Sequence, residues 1–384
     1  MSSLPSSAEV ELDHDGKSLW PNILSAERAA LKVAPSKLGA KYNDPLIGIR
    51  VLGFLLQDLW QHSQHSFALI PYREVIKKIA SCLSIPEHTV GSEEEAEAQH
   101  EKLQALGLHY RNHLIRVFRS NGGPIPKRSD HPSRPSLDVV RDRIISEKRT
   151  PTTAGSARTN ALLRDGYRCM LTGQYDLDSA DLHPELNDRA AADGVNMAVT
   201  QCAHIFSEAA QDGEQKTEYA ASAMAILRVF GLDGTAESLA GGNVHEHFNI
   251  LTMRSDLHHL FDHLEFWLEE VIGEENTYKV VSSTKNKVFK MGLPLPTRVT
   301  FRVDPDMVTA CTASETDLPA LPSPSLLAIR AACSRVAHMS GAAEQVEQIL
   351  RDLEDTPVMA EDGGSAHLLK SRLLQSSRTV NIKA

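Results

Sequence analysis

Two segments of this chain hold the residues best suited to chemistry: CAHIF at Cys202–Phe206 and FNILTMRSDLHHLFDHLEFWLEE at Phe248–Glu270. In the second, His258 and Asp262 are i, i+4 neighbours, so on a helix an imidazole and a carboxylate project together and can share one cation. Leu257, Leu260, Phe261 and Leu264 repeat at i, i+3, i+4, i+7 and form the buried stripe, with His258 and Asp262 on its flank. Ser255 is expected to cap this helix and Asp256 to sit in its first turn, where a negative charge suits the dipole. His259 and His263 form a second i, i+4 pair, but at about 100° per residue they point away from the stripe into solvent. An isolated H-x-x-x-D is usually an ordinary surface pair, so the neighbouring segments must decide.

Those neighbours supply a base and a tether. MAVTQCAHIF, rich in small and β-branched residues, reads as a short strand delivering His204 and Ile205. An imidazole there can take a proton from water near neutral pH, because its ordinary pKa is about 6.5. Asn249 lies nine residues before His258, after the turn-prone GGNVHEH, and its amide can tie loop carbonyls together. His183, Glu185, His245 and His247 are candidates for a third ligand, each otherwise a solvated loop residue.

Together these residues resemble the HNH nuclease family, in the version frequent in fungal proteins: RDGYRCMLTG at Arg164–Gly173, AHI at Ala203–Ile205, then N-x8-H-x3-D and an aromatic strand. On that resemblance His204 matches the general base, Asn249 the Asn that orients the base through the loop, and His258 and Asp262 metal ligands. The implied ββα-metal fold is a β-hairpin packed on a helix around one divalent ion (Mg²⁺, Mn²⁺ or Zn²⁺), covering Ala157 to about Ser282. Ala203 stands where many members carry a metal-binding Asp or His, and Lys216–Phe230 reads as an inserted amphipathic helix. The implied activity is metal-dependent hydrolysis of phosphodiester bonds in nucleic acid, with DNA the expected polymer. Two other readings stand beside it: an HNH scaffold without catalysis that binds nucleic acid or protein, and a protein whose N-terminal helices carry its function through a protein partner.

Composition frames these readings. The 384 residues, 41% hydrophobic, suffice for two domains, and the net charge is −10. From Lys127 to Arg168, however, ten Lys or Arg face five Asp or Glu, which makes this stretch the candidate nucleic-acid surface or else a basic linker. Arg164, Arg168 and Arg254 are the expected phosphate contacts. Five widely spaced cysteines without a C-x-x-C pair suggest a reduced, intracellular chain, nuclear or cytoplasmic, with Cys169 and Cys202 as small buried residues on adjacent strands. The N-terminus lacks a secretory pattern, and Leu46–Trp60, interrupted by Arg50, Gln57 and Asp58, is too short and polar to span a bilayer.

The expected fold class is α+β, with a mainly helical N-terminal region, the ββα-metal module with its helical insertion, and C-terminal helices. Residues 1–40 are expected as a disordered tail, 41–150 as a helical domain and basic linker, 151–305 as the HNH domain, and 306–384 as closing helices and a disordered tail. Helices are expected from Pro45, over Tyr72–Ser81, Glu93–Arg119 and Ser136–Lys148, and over Ser325–Ala337 and Ala342–Leu353. EFWLEE and TYKVVSS should pair through a turn at Gly273–Asn276, and Arg298–Val303 is a further strand candidate.

Overall fold

Pro45 and the Ile/Leu repeat behind it form a helix whose start is set locally. In the computed structural model, which describes residues 2–32, 43–63, 69–84, 93–118, 137–147, 151, 153–206, 223–283 and 295–355, Asn43 adopts a left-handed conformation and its side chain accepts from Leu46 N at 3.4 Å. This helix, α2 (Asp44–Gln61), is buried along nearly its whole circumference. It is the axis of one of two compact units, made of Met1–Val117, Ala209–Ala236 and Ala332–Ala384. Around it lie α1 (His14–Lys32), α3 (Leu69–Leu83) and α4 (Glu93–Tyr110). The last is extended by a π turn, Arg111–Ile115, and one further helical turn to Phe118. Gly48 of α2 and Gly107 of α4 permit the closest approach, since a Cβ on Gly107 would overlap the Gly48 carbonyl.

The segment expected as an N-terminal tail is corrected by α1. Trp20, Ile23, Ala26 and Ala30 are wholly buried, and the Trp20 indole donates to Pro5 O at 3.1 Å. Polar residues around Pro21 hide that apolar face from a linear reading, but burying a Trp and an Ile outweighs one proline inside the helix. Buried charges in this unit are paired: Arg50 with Glu27 at 2.6 Å, and Arg335 with Asp58 at 2.6 and 3.0 Å.

The second unit comprises Phe118–Glu208 and Glu237–Ala331. Its helix Ala154–Arg164 opens with a reciprocal capping box between Thr153 and Ser156. Strand β1 (Tyr175–Asp176) runs parallel to β2 (Met197–Ala198). Strand β3 (Thr200–His204) runs antiparallel to β4 (Ile250–Arg254), with His204 opposite Ile250 and Thr200 opposite Arg254. The site helix, Ser255–Asp262, follows β4 directly. Beyond it β5 (Phe266–Glu270), β6 (Thr277–Ser282) and β7 (Arg298–Thr300) form an antiparallel sheet in that order. The β5–β6 turn places Gly273 and Asn276 at positive φ, the chemistry that GEEN suggested. The architecture is α+β.

Helices Pro305–Ala313, Pro324–Ser340 and Ala342–Asp355 complete the described chain. The expected inserted helix at 216–230, much of the basic stretch at 127–168 and the expected tail beyond 356 lie wholly or partly outside the described residues. Among the described residues no helix is long and apolar enough to cross a membrane.

Candidate active site

The site helix is shorter than the apolar stripe implies, and its cap differs from expectation. Ser255 is its first residue, while the preceding Arg254 occupies the N-cap without a side-chain cap bond. Instead the Asp256 carboxylate accepts from Leu257 N at 2.7 Å and binds the Arg254 guanidinium at 2.6 Å. The helix ends at Asp262, and Leu264 follows at φ 60, where the bonds Glu265 N to Leu260 O and Leu264 N to Phe261 O close the end. Leu264 stays buried despite that backbone, so the stripe continues across the turn. Arg330, fully buried, lies 3.5 Å from the Phe261 ring centre and donates to the carbonyls of Phe261 and Ile205.

His258 and Asp262 meet as their spacing implies, Nε2 to Oδ2 at 3.3 Å. The other ring nitrogen of His258 donates to Gln201 Oε1 on β3 at 2.8 Å, which fixes the ring with Nε2 facing Asp262. Asp262 is 3% exposed, and its Oδ1 is buried with no hydrogen-bond partner. A nitrogen and an oxygen about 3 Å apart are spaced as two ligands of one cation at about 2.1 Å each, and a buried orphan carboxylate oxygen is the kind of atom a cation satisfies. These two residues therefore fit a divalent ion. Among the described residues no three His, Cys, Asp or Glu side chains gather as a cage, and Ala203 is fully buried. His259 and His263 stack on each other 4.2 Å apart at the surface, as their position on the helix implies.

Asn249 does what an amide at that point can do. It is wholly buried, with Oδ1 accepting from Phe206 N at 2.8 Å and Nδ2 donating to Phe206 O and Val244 O at 3.0 and 2.8 Å. Its own carbonyl accepts from Ile205 N at 2.8 Å, extending the β3–β4 pairing past His204. His204 therefore ends a strand whose continuation is locked. Its Nε2 lies 3.2 Å from Nδ1 of His245, a buried residue of the 3-10 turn Ala240–His245. Burial first, then the neighbouring His245 and His258, push the His204 pKa down to about 4, against a smaller upward pull from Asp262. The ring is thus neutral at physiological pH, the form from which a base must start.

Several expected roles are redrawn. Arg164, expected at a nucleic-acid surface, is fully buried and spent: it binds both oxygens of Asp165 at 2.6 and 2.9 Å and donates to the carbonyls of His247, Ile250 and Ala320. It bolts the residues flanking Asn249 in place. Arg168 stacks over Tyr175 and pairs with Asp193, and Arg254 binds Asp256 and Gln174; both guanidiniums keep part of their surface exposed. In the described part of the basic stretch, Arg141 pairs with Asp138 and Asp142, and Arg158 with Asp176. His183 lies 3.9 Å from Glu185, while His247 is pushed down to about 4 by burial and the Arg164 charge. His245 is no solvated loop residue. Cys169 is buried in a turn, not on a strand, and its sulfur accepts from Arg254 N; Cys202 lies on β3.

Sequence reading missed His245 as a neighbour of the base and Gln201 as the partner of His258. Nothing in GGNVHEH separates His245 from His247, and Gln201 is marked only by being a polar residue in a short, half-buried strand.

No curated protein and no solved structure matches the chain. Residues 169–269, which contain β3, Asn249, β4 and the site helix, match the family model described as HNH endonuclease, so the middle of this chain carries an HNH-family segment.

Proposed function

We propose that this segment, with its flanks from Ala157 to Ser282, is a metal-dependent endonuclease that hydrolyses phosphodiester bonds of nucleic acid, with DNA the expected polymer. The observation that carries the reading is the convergence of a β3–β4 hairpin and the helix after it. Those elements place a neutral imidazole, an amide-locked loop and a His/carboxylate pair in one unit. His204 takes a proton from the attacking water, and Asn249 holds the backbone on either side of it. His258 and Asp262 would hold one Mg²⁺, Mn²⁺ or Zn²⁺, which when bound would offset charge on the phosphate and the departing oxygen. Gln201 orients His258 for that task. Arg254 and Arg168, partly exposed, can meet phosphate only by loosening their present carboxylate partners, so affinity for a polyanion draws also on the basic stretch and the ion. Five cysteines, none of them in a disulfide among the described residues, support an intracellular setting, nuclear or cytoplasmic.

The test is plasmid nicking by the full chain with added Mg²⁺, Mn²⁺ or Zn²⁺. His204→Ala is expected to lower the rate by about 10²–10⁴-fold, the usual worth of a general base, with the fold intact by circular dichroism. Unchanged cleavage by His204→Ala removes the assigned base. The buried Ala203, which leaves two protein ligands, favours a second reading, a non-catalytic binding scaffold. That reading stands if the wild type retains nucleic-acid binding but nicks with none of the three metals.

A further inference from the structure

We propose that His245 is a positioning residue for the base: its Nδ1 accepts a hydrogen bond from His204 Nε2–H and so leaves His204 Nδ1 as the lone pair that receives the proton from water. This rests on the hydrolytic reading above and goes beyond it in assigning a residue and a tautomer. The two nitrogens are 3.2 Å apart, with ring centres 5.3 Å apart and planes inclined by 66°. Two lone pairs facing each other at that distance repel, so one proton must lie between them. Only two neutral arrangements satisfy this. If His245 donates, the Nε2 lone pair of His204 is consumed and its Nδ1 carries the proton, which leaves no base. If His204 donates, its Nδ1 is open.

The surroundings hold the pair rigidly enough for the tautomer to matter. Asn249 Nδ2 binds both Phe206 O, two residues after His204, and Val244 O, the residue before His245. One amide therefore clamps the two backbone segments that carry the two imidazoles. A role for His245 as a third ligand beside His258 and Asp262 is disfavoured, because among the described residues no three such side chains gather around a common point. In the step itself, water gives a proton to His204 Nδ1 while its oxygen forms the new bond to phosphorus. The bond to the departing oxygen breaks with its electron pair, and that oxygen takes a proton from solvent. His245 Nδ1 then still accepts from His204 Nε2–H and holds the ring in the same orientation, as an orienting partner does in other base-assisted hydrolases.

Long-range ¹H–¹⁵N correlation of the full-length, metal-free protein reads the tautomer directly, with His204 assigned by the signals lost in His204→Ala. The Nε2–H form is expected, and an Nδ1–H form overturns the proposal. In cleavage assays His245→Leu is expected to lower kcat about 10–100-fold with little change in KM, the usual size of a lost orienting partner. His245→Asn, whose Oδ1 can replace the Nδ1 acceptor, should recover most of that loss. Wild-type kcat in His245→Leu overturns the assignment, as does an equal loss in both variants. If His245→Leu misfolds, the wild-type spectrum alone decides. If the wild type cleaves nothing, the hydrolytic reading fails while the spectrum still settles which nitrogen of His204 is protonated.

Discussion

Asp176 and Asp262 are both buried carboxylates of the same unit, and their surroundings are opposite. Asp176 receives both oxygens' worth of partners: Arg158 at 3.1 Å to each, Ser179 N and Oγ at 2.9 and 2.6 Å, and Thr200 N and Oγ1 at 3.1 and 2.7 Å. Burial alone would raise its pKa, but Arg158 and these hydrogen bonds outweigh that and hold it below the ordinary carboxylate range. Asp262 has His258 beside Oδ2 and nothing on Oδ1. The saturation of Asp176 fits a role in the fold, and the open valence of Asp262 fits the cation site proposed above.

Substitution should separate the two most sharply. Asp176→Ala strands the Arg158 guanidinium and the donors of Ser179 and Thr200, so urea unfolding should show a loss of about 3–5 kcal/mol. Asp262→Asn removes a buried charge with an unsatisfied oxygen and should leave metal-free stability within about 1 kcal/mol of wild type. Equal destabilisation by both would dissolve the contrast.

Acid gives a smaller, graded version of the same comparison. His204 and His247 have folded pKa values near 4, below the unfolded value of about 6.5. Between those limits the unfolded chain binds more protons, so metal-free stability should fall as pH drops from 6.5 toward 4, by at most about 1.4 kcal/mol per pH unit for each group. The Asp176 contribution, present above the ordinary Asp pKa, fades only as pH falls further. Denaturant titrations across this range, repeated on His204→Ala, should show a shallower fall in the variant. A flat profile in the wild type contradicts the half-buried, neutral state of both rings.

Much of this was legible in the sequence because it is local. The i, i+4 pair, the Asn nine residues earlier, the Pro45 helix start and the β5–β6 turn each depend on residues close along the chain. What escaped depends on distant partners. Gln201 reaches His258 across 57 positions because the β3–β4 register sets it opposite Met253, two residues before the site helix, and a period-2 pattern gives a face but no partner. Arg164 reads as a surface cation until the carbonyls of His247, Ile250 and Ala320 surround it. Leu264 belongs to the stripe but not to the helix, because a left-handed closing residue, usually Gly, is here a Leu whose burial offsets the strain.

The central claim is that Asp262 and His258 form an open cation site beside a neutral imidazole, and calorimetric titration of Mn²⁺ or Zn²⁺ into the purified full chain tests it most directly. One ion per chain is expected for the wild type, with binding lost in Asp262→Asn while the fold is retained. Equal binding by wild type and Asp262→Asn, or no binding by the wild type, would contradict the account.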